Sequence, residues 1–321
     1  MLASVAVIFA LAPLVLLGLP LLADVGRGPR VRPVECNVLP GERGANVWER
    51  AKIPELRRYC DLLASASAKL TPGTRMLPDV VRLADEADRL VPGRAAPLLL
   101  KGRALSTMSQ HAPALAALRE ARARDDRALD EPMALLAWAR SLAFSGDSVA
   151  AHAAYRELLP RADALPLADR GVAYLGAGML VMAEGPAGLD ETIAILRQAR
   201  HDSQDLLRAG ATYALALALD RSGDPAEAAA VLADEGARDA VNVMADARVL
   251  SAMGVTGAIE AYAIEALALD VAGKHEDART AWQRYLAEGG SGGVWEAHAR
   301  THAGRAPTAA AGARPIAGRH P

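Results

Sequence analysis

The feature that most constrains this chain is a spacing of small residues that occurs four times between residues 98 and 285. In each copy an apolar run reaches a break, and a polar turn and a second run follow it. The four breaks are Ser109, Gly146, Gly223 and Gly273. The small residues seven positions before the breaks are Gly102, Ala139, Ala216 and Ala266, and the alanines five positions after them are Ala114, Ala151, Ala228 and Ala278. Small residues let two helices approach closely, and glycine permits the left-handed turn that ends a helix. The spacing therefore predicts pairs of antiparallel helices.

The composition supports an all-α fold. Alanine, the strongest helix former, fills 72 of the 321 positions, whereas aromatic residues make up only 4% of the chain. The formal net charge of −2 leaves no overall basic field with which to hold a nucleic acid. We therefore expect a helical protein that does not bind nucleic acid.

A large side chain follows each of the four alanines by four positions, and this completes a recognisable pattern. These residues are Leu118, Tyr155, Leu232 and Trp282. With them the chain resembles the tetratricopeptide repeat family, whose helix pairs carry small and large residues in this register. The resemblance implies an α-solenoid of antiparallel helix pairs wound into a right-handed superhelix. The copies are unevenly spaced, which predicts a degenerate unit within residues 166–201 and an extra helix near Asp239 to Met253.

The resemblance also implies where a partner binds. Proteins of this family bind extended peptides on a concave surface that is lined by the first helix of each pair. In this chain the repeat register directs to that groove Arg103, Thr107, Arg140, Phe144, Tyr213 and Arg221. We therefore expect a protein or peptide partner, with the arginines engaging carboxylates. The alternative is that these arginines are ordinary solubilising residues.

The amino-terminal segment predicts export or membrane attachment. Residues 1–23 are almost entirely apolar and contain no charged side chain, so they are interpreted as a signal peptide or an uncleaved membrane anchor. The three arginines that follow would place the body of an anchored protein in the cytoplasm, whereas a signal peptide would export it. Residues 24–46, rich in proline and glycine, are predicted to be a linker, residues 47–300 the repeat domain, and residues 301–321 a disordered basic tail.

The two cysteines, Cys36 and Cys60, favour a single disulfide. Neither lies in a metal-binding pattern, and an even count beside an export signal is typical of oxidised proteins. A bridge would fix the linker to the first helix. Two buried free thiols are the alternative.

Catalytic chemistry has no recognisable motif in the sequence, so we expect no cofactor and no enzymatic activity. His298 and His302 are four residues apart, a spacing that suits a metal site, but no carboxylate lies between them and a solvated pair is favoured. The sequence thus predicts a non-catalytic interaction scaffold of the bacterial cell envelope, in the periplasm or tethered by its amino terminus. The alternatives are an envelope enzyme or polysaccharide-associated factor with an unrecognised site, and a membrane-anchored assembly protein that faces the cytoplasm.

Overall fold

The computed structural model describes residue 36 and residues 47–70, 76–233, 258–290 and 292–304. Within these ranges the chain forms thirteen α-helices and no β-strand, which confirms the all-α prediction. In chain order they are α1 (Val47–Lys69), α2 (Leu77–Leu90), α3 (Ala95–Thr107), α4 (His111–Arg124), α5 (Pro132–Phe144), α6 (Ser148–Leu158), α7 (Leu167–Glu184), α8 (Leu189–Asp202), α9 (Asp205–Ser222), α10 (Pro225–Leu232), α11 (Ala258–Val271), α12 (His275–Tyr285) and α13 (Glu296–Gly304).

The helices pack in neighbouring pairs, as the sequence predicts. Helices α3–α4, α5–α6, α9–α10 and α11–α12 are the four copies of the repeated spacing, and a short turn joins the two members of each pair. Helices α7 and α8 form a further pair where the degenerate unit is predicted. Helices α1 and α2 form another pair at the start of the described domain.

The turns between paired helices have the left-handed backbone that the glycines predict. The φ angles of Gly146, Gly223 and Gly273 are 82°, 88° and 73°. Ser109 occupies the equivalent position with a φ of 59°, a conformation that is costly for a residue with a Cβ atom. In two of the pairs an aspartate follows the glycine and caps the next helix, with Asp147 accepting a hydrogen bond from the backbone N–H of Ala150.

The core lies between the paired helices, where the predicted small residues are fully covered. Ala139, Ala216 and Ala266 have no exposed surface. Helix α9 is the most deeply placed, because every residue from Ala209 to Leu219 is buried. The helix contacts α7, α8, α10 and α11, so its neighbours cover all faces of this stretch.

The predicted disulfide is confirmed. The sulfur atoms of Cys36 and Cys60 lie at bonding distance, and their Cα atoms are 5.7 Å apart. Both cysteines are half-buried and pack against the cluster that contains Tyr59 and Leu63. The bridge therefore fixes residue 36, which precedes the helical domain, to the middle of α1.

Several predicted segments lie outside the described residues: the apolar segment 1–23, residues 24–46 apart from Cys36, the helix near Asp239 to Met253, and residues 305–321. Helix α13 continues to Gly304, four residues beyond the predicted domain boundary, because buried contacts of His302 hold its last turn to the core. Across the described part of the chain, no helix is both long enough and apolar enough to span a membrane.

Candidate functional site

A pocket of about 380 Å³ opens where the first helices of successive pairs meet. Residues of α3, α5, α7 and α9 line it, together with Leu70 and Leu77 from the first pair. Three of the six residues predicted to bind a partner, Arg103, Thr107 and Arg140, lie in this lining. The repeat register thus brings residues that are up to 37 positions apart in the sequence onto one surface.

The polar groups of the pocket come from three successive first helices. Arg103 lies on α3, Arg140 on α5 and Asp169 on α7. Burial raises the pKa of the Asp169 carboxyl, and the positive charges of Arg103 and Arg140 oppose that rise. Burial also lowers the pKa of Arg140, although a guanidinium remains charged at any physiological pH. Two cations and one anion therefore face the same space.

Arg103 is held on one side by Glu131, with 3.5 Å between the guanidinium and the carboxylate. Glu131 also caps α5, because its side chain accepts hydrogen bonds from the backbone N–H groups of Met133 and Ala134. The Nε atom of Arg103 is buried and makes no hydrogen bond to any described residue. The cap residue thus orients the guanidinium of Arg103.

The rest of the pocket surface is mostly apolar. Its side chains include Leu77, Met133, Leu136, Val172, Leu206 and Leu207. Leu206 is 38% exposed, and with its neighbours it forms part of a continuous apolar lining. A few charged groups around an apolar surface is the common composition of a ligand-binding site.

Phe144 lies outside this pocket, at the carboxyl end of α5. Its ring stacks on the ring of His111, with 4.4 Å between the centroids and 3° between the planes, and the Arg140 guanidinium lies 5.8 Å from its centroid. His111 is also 3.5 Å from the hydroxyl of Ser141, which donates a hydrogen bond to Ser106 in the pocket lining. Phe144 therefore supports the edge of the site and does not line it.

The prediction that Tyr213 contacts a partner is wrong. Tyr213 has no exposed surface, because α9 is covered on all faces from Ala209 to Leu219. The sequence carries a signal of this burial, since the run from Ala214 to Leu219 is apolar at every position and a helix that is apolar all round lies in a core.

Arg221 is also buried, which corrects its assignment to the groove. Its guanidinium lies 2.6 Å from the carboxylate of Glu260 on α11, and its side chain has no exposed surface. The guanidinium also lies 4.6 Å from the centroid of the Trp295 ring. The contact between α9 and α11 covers this arginine, and only the tertiary structure reveals that contact.

Asp169 is the pocket residue that sequence reasoning missed. It lies in the degenerate unit, where the repeat spacing gives no register from which to assign it to the groove. Asp169 lies near the start of α7, and only the packing of α7 beside α5 shows that it lines the same pocket as Arg103 and Arg140.

The prediction that His298 and His302 are solvated is wrong. Both lie on α13 and face α9, and the side chain of His302 is only 5% exposed. Burial alone would raise the pKa of the Asp220 carboxyl, but hydrogen bonds to His298 and His302 outweigh it and hold this pKa well below its usual range. Burial also lowers the pKa of His298. The histidine pair can be recognised in the sequence, whereas only the folded structure shows that Asp220 lies beside it.

Comparison with known proteins adds no assignment, because no model of a protein family matches this chain and no curated protein matches it.

Proposed function

We propose that this protein is a non-catalytic interaction scaffold that binds an extended peptide segment through the pocket between its first helices. The observation that carries the proposal is the convergence of Arg103, Arg140 and Asp169 in one largely apolar pocket. In this proposal the helix pairs stack as a tetratricopeptide-like, right-handed solenoid, and the pocket belongs to its concave groove.

The chemistry of the pocket selects the partner. Arg103 and Arg140 offer charge-assisted hydrogen bonds to a carboxylate, either an acidic side chain or a free carboxyl terminus. Asp169 suits a backbone N–H or a basic side chain of the same segment, and the leucines suit a neighbouring apolar side chain. A volume of about 380 Å³ accommodates one or two amino-acid residues rather than a folded surface.

The experiment is a binding screen with synthetic peptides of seven residues, each prepared with a free and with an amidated carboxyl terminus. Captured peptides are then titrated calorimetrically against the wild type and against Arg103→Ala and Arg140→Ala. We expect each substitution to weaken binding at least tenfold, as is common for arginines at binding hot spots. Exposed Arg122 lies outside the pocket, so Arg122→Ala is the matched control and should bind like the wild type.

Equal binding by the wild type and Arg140→Ala, with unchanged melting curves, would place the site elsewhere. Failure to capture any peptide, acidic or amidated, would also refute the proposal. Comparison of free and amidated peptides separates a terminal carboxylate from an acidic side chain as the bound group.

The proposed location is the bacterial cell envelope, after export of the chain. The pairing of Cys36 with Cys60 supports it, because disulfides persist in oxidising compartments. Mass spectrometry of the amino terminus of the native protein tests it. A terminus beginning near residue 24 indicates a cleaved signal peptide, an intact terminus in the membrane fraction indicates a tether, and an intact terminus in the cytosol contradicts export.

A further inference from the structure

Three side chains that suit a metal ion converge where the last described helix meets α9. The Nε2 atoms of His298 and His302 each lie 2.8 Å from the same oxygen, Oδ2 of Asp220. The aspartate is 78 residues from one histidine and 82 from the other, so helix packing assembles the group. Within the described ranges, this is the one group of at least three histidine, cysteine or acidic side chains that has the geometry to hold a metal ion.

The distances from the carboxylate oxygen to the two nitrogens are close to those of a zinc site, and all three atoms lie within 4.8 Å of one another. Zinc binds imidazole nitrogen and carboxylate oxygen at about 2.0–2.1 Å, so two of its ligands in tetrahedral geometry are about 3.3 Å apart. The distances of 2.8 Å need to increase by only about half an ångström, which small side-chain rotations provide. Both histidines would coordinate through Nε2, because that is the atom each directs at the carboxylate.

The charges around the group favour a cation. Arg221, which lies next to Asp220 in the sequence, is already paired with Glu260 at 2.6 Å. The charges of this pair offset each other, so the Asp220 carboxylate leaves the group with a negative charge, and metal-bound imidazoles add none. Tyr285 contacts Glu260 through its hydroxyl and adds no charge. A divalent ion would therefore enter a partly buried site with a negative charge to neutralise.

Aromatic side chains fix the positions of the two imidazoles. The Trp282 ring stacks near His302, with 4.9 Å between centroids, and meets His298 edge-on at 5.7 Å. The Trp295 indole donates a hydrogen bond to the carbonyl of Met182, which holds the segment that leads into α13. The side chains of His298 and Asp220 are 16% and 14% exposed, so water can reach a fourth coordination position.

From this geometry we propose that Asp220, His298 and His302 bind one divalent transition-metal ion of the zinc class. The ion has three protein ligands and a water molecule, and it clamps α13 to α9. Nδ1 of His298 has no hydrogen-bond partner among the described residues, so its ring lacks the second contact that usually strengthens a metal-bound histidine. We therefore expect an affinity in the micromolar range.

The test uses the full-length protein without a histidine tag, stripped with a chelator and titrated with ZnCl₂ by calorimetry. We expect one ion per chain and, at a hundredfold excess over the dissociation constant, a rise in Tm of about 5 °C. Co²⁺ in place of Zn²⁺ should give the visible absorption of tetrahedral coordination. Asp220→Asn and His298→Ala should each weaken Zn²⁺ binding at least tenfold.

The matched control is His275→Ala, which removes another histidine that lies beside a carboxylate. His275 is 3.3 Å from Asp270 and has no third ligand nearby, so its loss should leave Zn²⁺ binding unchanged. Far-ultraviolet circular dichroism of each stripped protein shows whether the variant is folded. If Asp220→Asn or His298→Ala does not fold, His302→Gln is measured in its place. A folded, stripped wild type that binds no Zn²⁺ overturns the proposal, as does a stoichiometric ion whose affinity is the same in Asp220→Asn, His298→Ala and His302→Gln.

Discussion

Gly102 and Leu118 lie so close together that residue 102 has no room for a side chain. A Cβ atom on Gly102 would be 2.5 Å from Cγ of Leu118 and 2.7 Å from its Cδ2. Gly102 holds the small position of the repeat on α3, before the turn, and Leu118 holds the large position on α4, after it. This contact explains why a small residue on one helix is matched by a large residue on the other. Helices α3 and α4 approach this closely only because residue 102 is glycine.

Gly102→Ala should destabilise the protein by about 1 to 2 kcal/mol. Overpacking costs about 1–3 kcal/mol, and the better helix propensity of alanine offsets part of it. Denaturant unfolding measures the change, and Gly304→Ala, at a helical position with open space around it, is the control. In the double variant Gly102→Ala, Leu118→Ala the methyl group fills part of the cavity. The double variant should therefore lose less than the sum of the two single losses, and strict additivity would show that the contact is unimportant.

Ser109→Gly should stabilise the protein by about 0.5 to 1 kcal/mol. The left-handed backbone costs a residue with a side chain about 1–2 kcal/mol, and glycine avoids this cost. The greater flexibility of glycine in the unfolded chain reduces the resulting stabilisation. The reciprocal change, Gly146→Ser, should destabilise by a similar amount, because a Cβ there meets no atom and only the backbone conformation is affected. Thermal melts of both variants test this prediction, which a change of the same sign in the two would contradict.

His111 should make the protein less stable as the pH falls from about 6.5 to about 4. Burial, reinforced by the positive charge of Arg140, lowers the pKa of His111 to about 4 from 6.5. The unfolded chain therefore takes up a proton before the folded protein does, so the stability due to this residue is complete above pH 6.5 and is lost below it. Because partial solvent exposure screens the effect, we expect a loss of about 1 to 2 kcal/mol.

Urea unfolding at pH 7.5 and pH 4.5 measures that effect as the difference between the wild type and His111→Gln. The variant should show the smaller loss of stability at the lower pH. His201→Gln, at an exposed position, is the control and should behave like the wild type. Equal losses in all three proteins would mean that His111 titrates alike in the folded and unfolded states.

Loss of the bridge between Cys36 and Cys60 should cost about 3 kcal/mol, the effect of releasing a loop of this length in the unfolded chain. Cys60→Ser and the reduced wild type should therefore unfold at the same, lower denaturant concentration. Peptide mapping without reductant should show one cross-linked fragment in the native protein. Two thiols that alkylate in native material would contradict both the bridge and the exported location.

The residues that the sequence assigned correctly to helix pairing are those whose environment is local. The break and the small and large residues of each copy lie within about 20 residues, so the turn and the contact between paired helices follow from short-range geometry. Arg103 and Arg140 were placed on one surface for the same reason, because neighbouring pairs repeat the register. The register also assigned Tyr213 and Arg221 of α9 to the groove, but neighbouring helices cover both residues and both are buried.

By itself, the sequence determined the helical class and the positions of the turns, and it favoured the pairing of the two cysteines. Helix propensity, left-handed glycines and the close approach of small residues act over one or two turns of helix, so they can be identified in the chain. The tertiary structure alone decided that Asp169 joins the two arginines in the pocket and that Asp220 meets His298 and His302. These contacts form between residues that are far apart in the sequence. They depend on which helices pack side by side and on how deeply each helix is buried, and neither is encoded within one or two turns of helix.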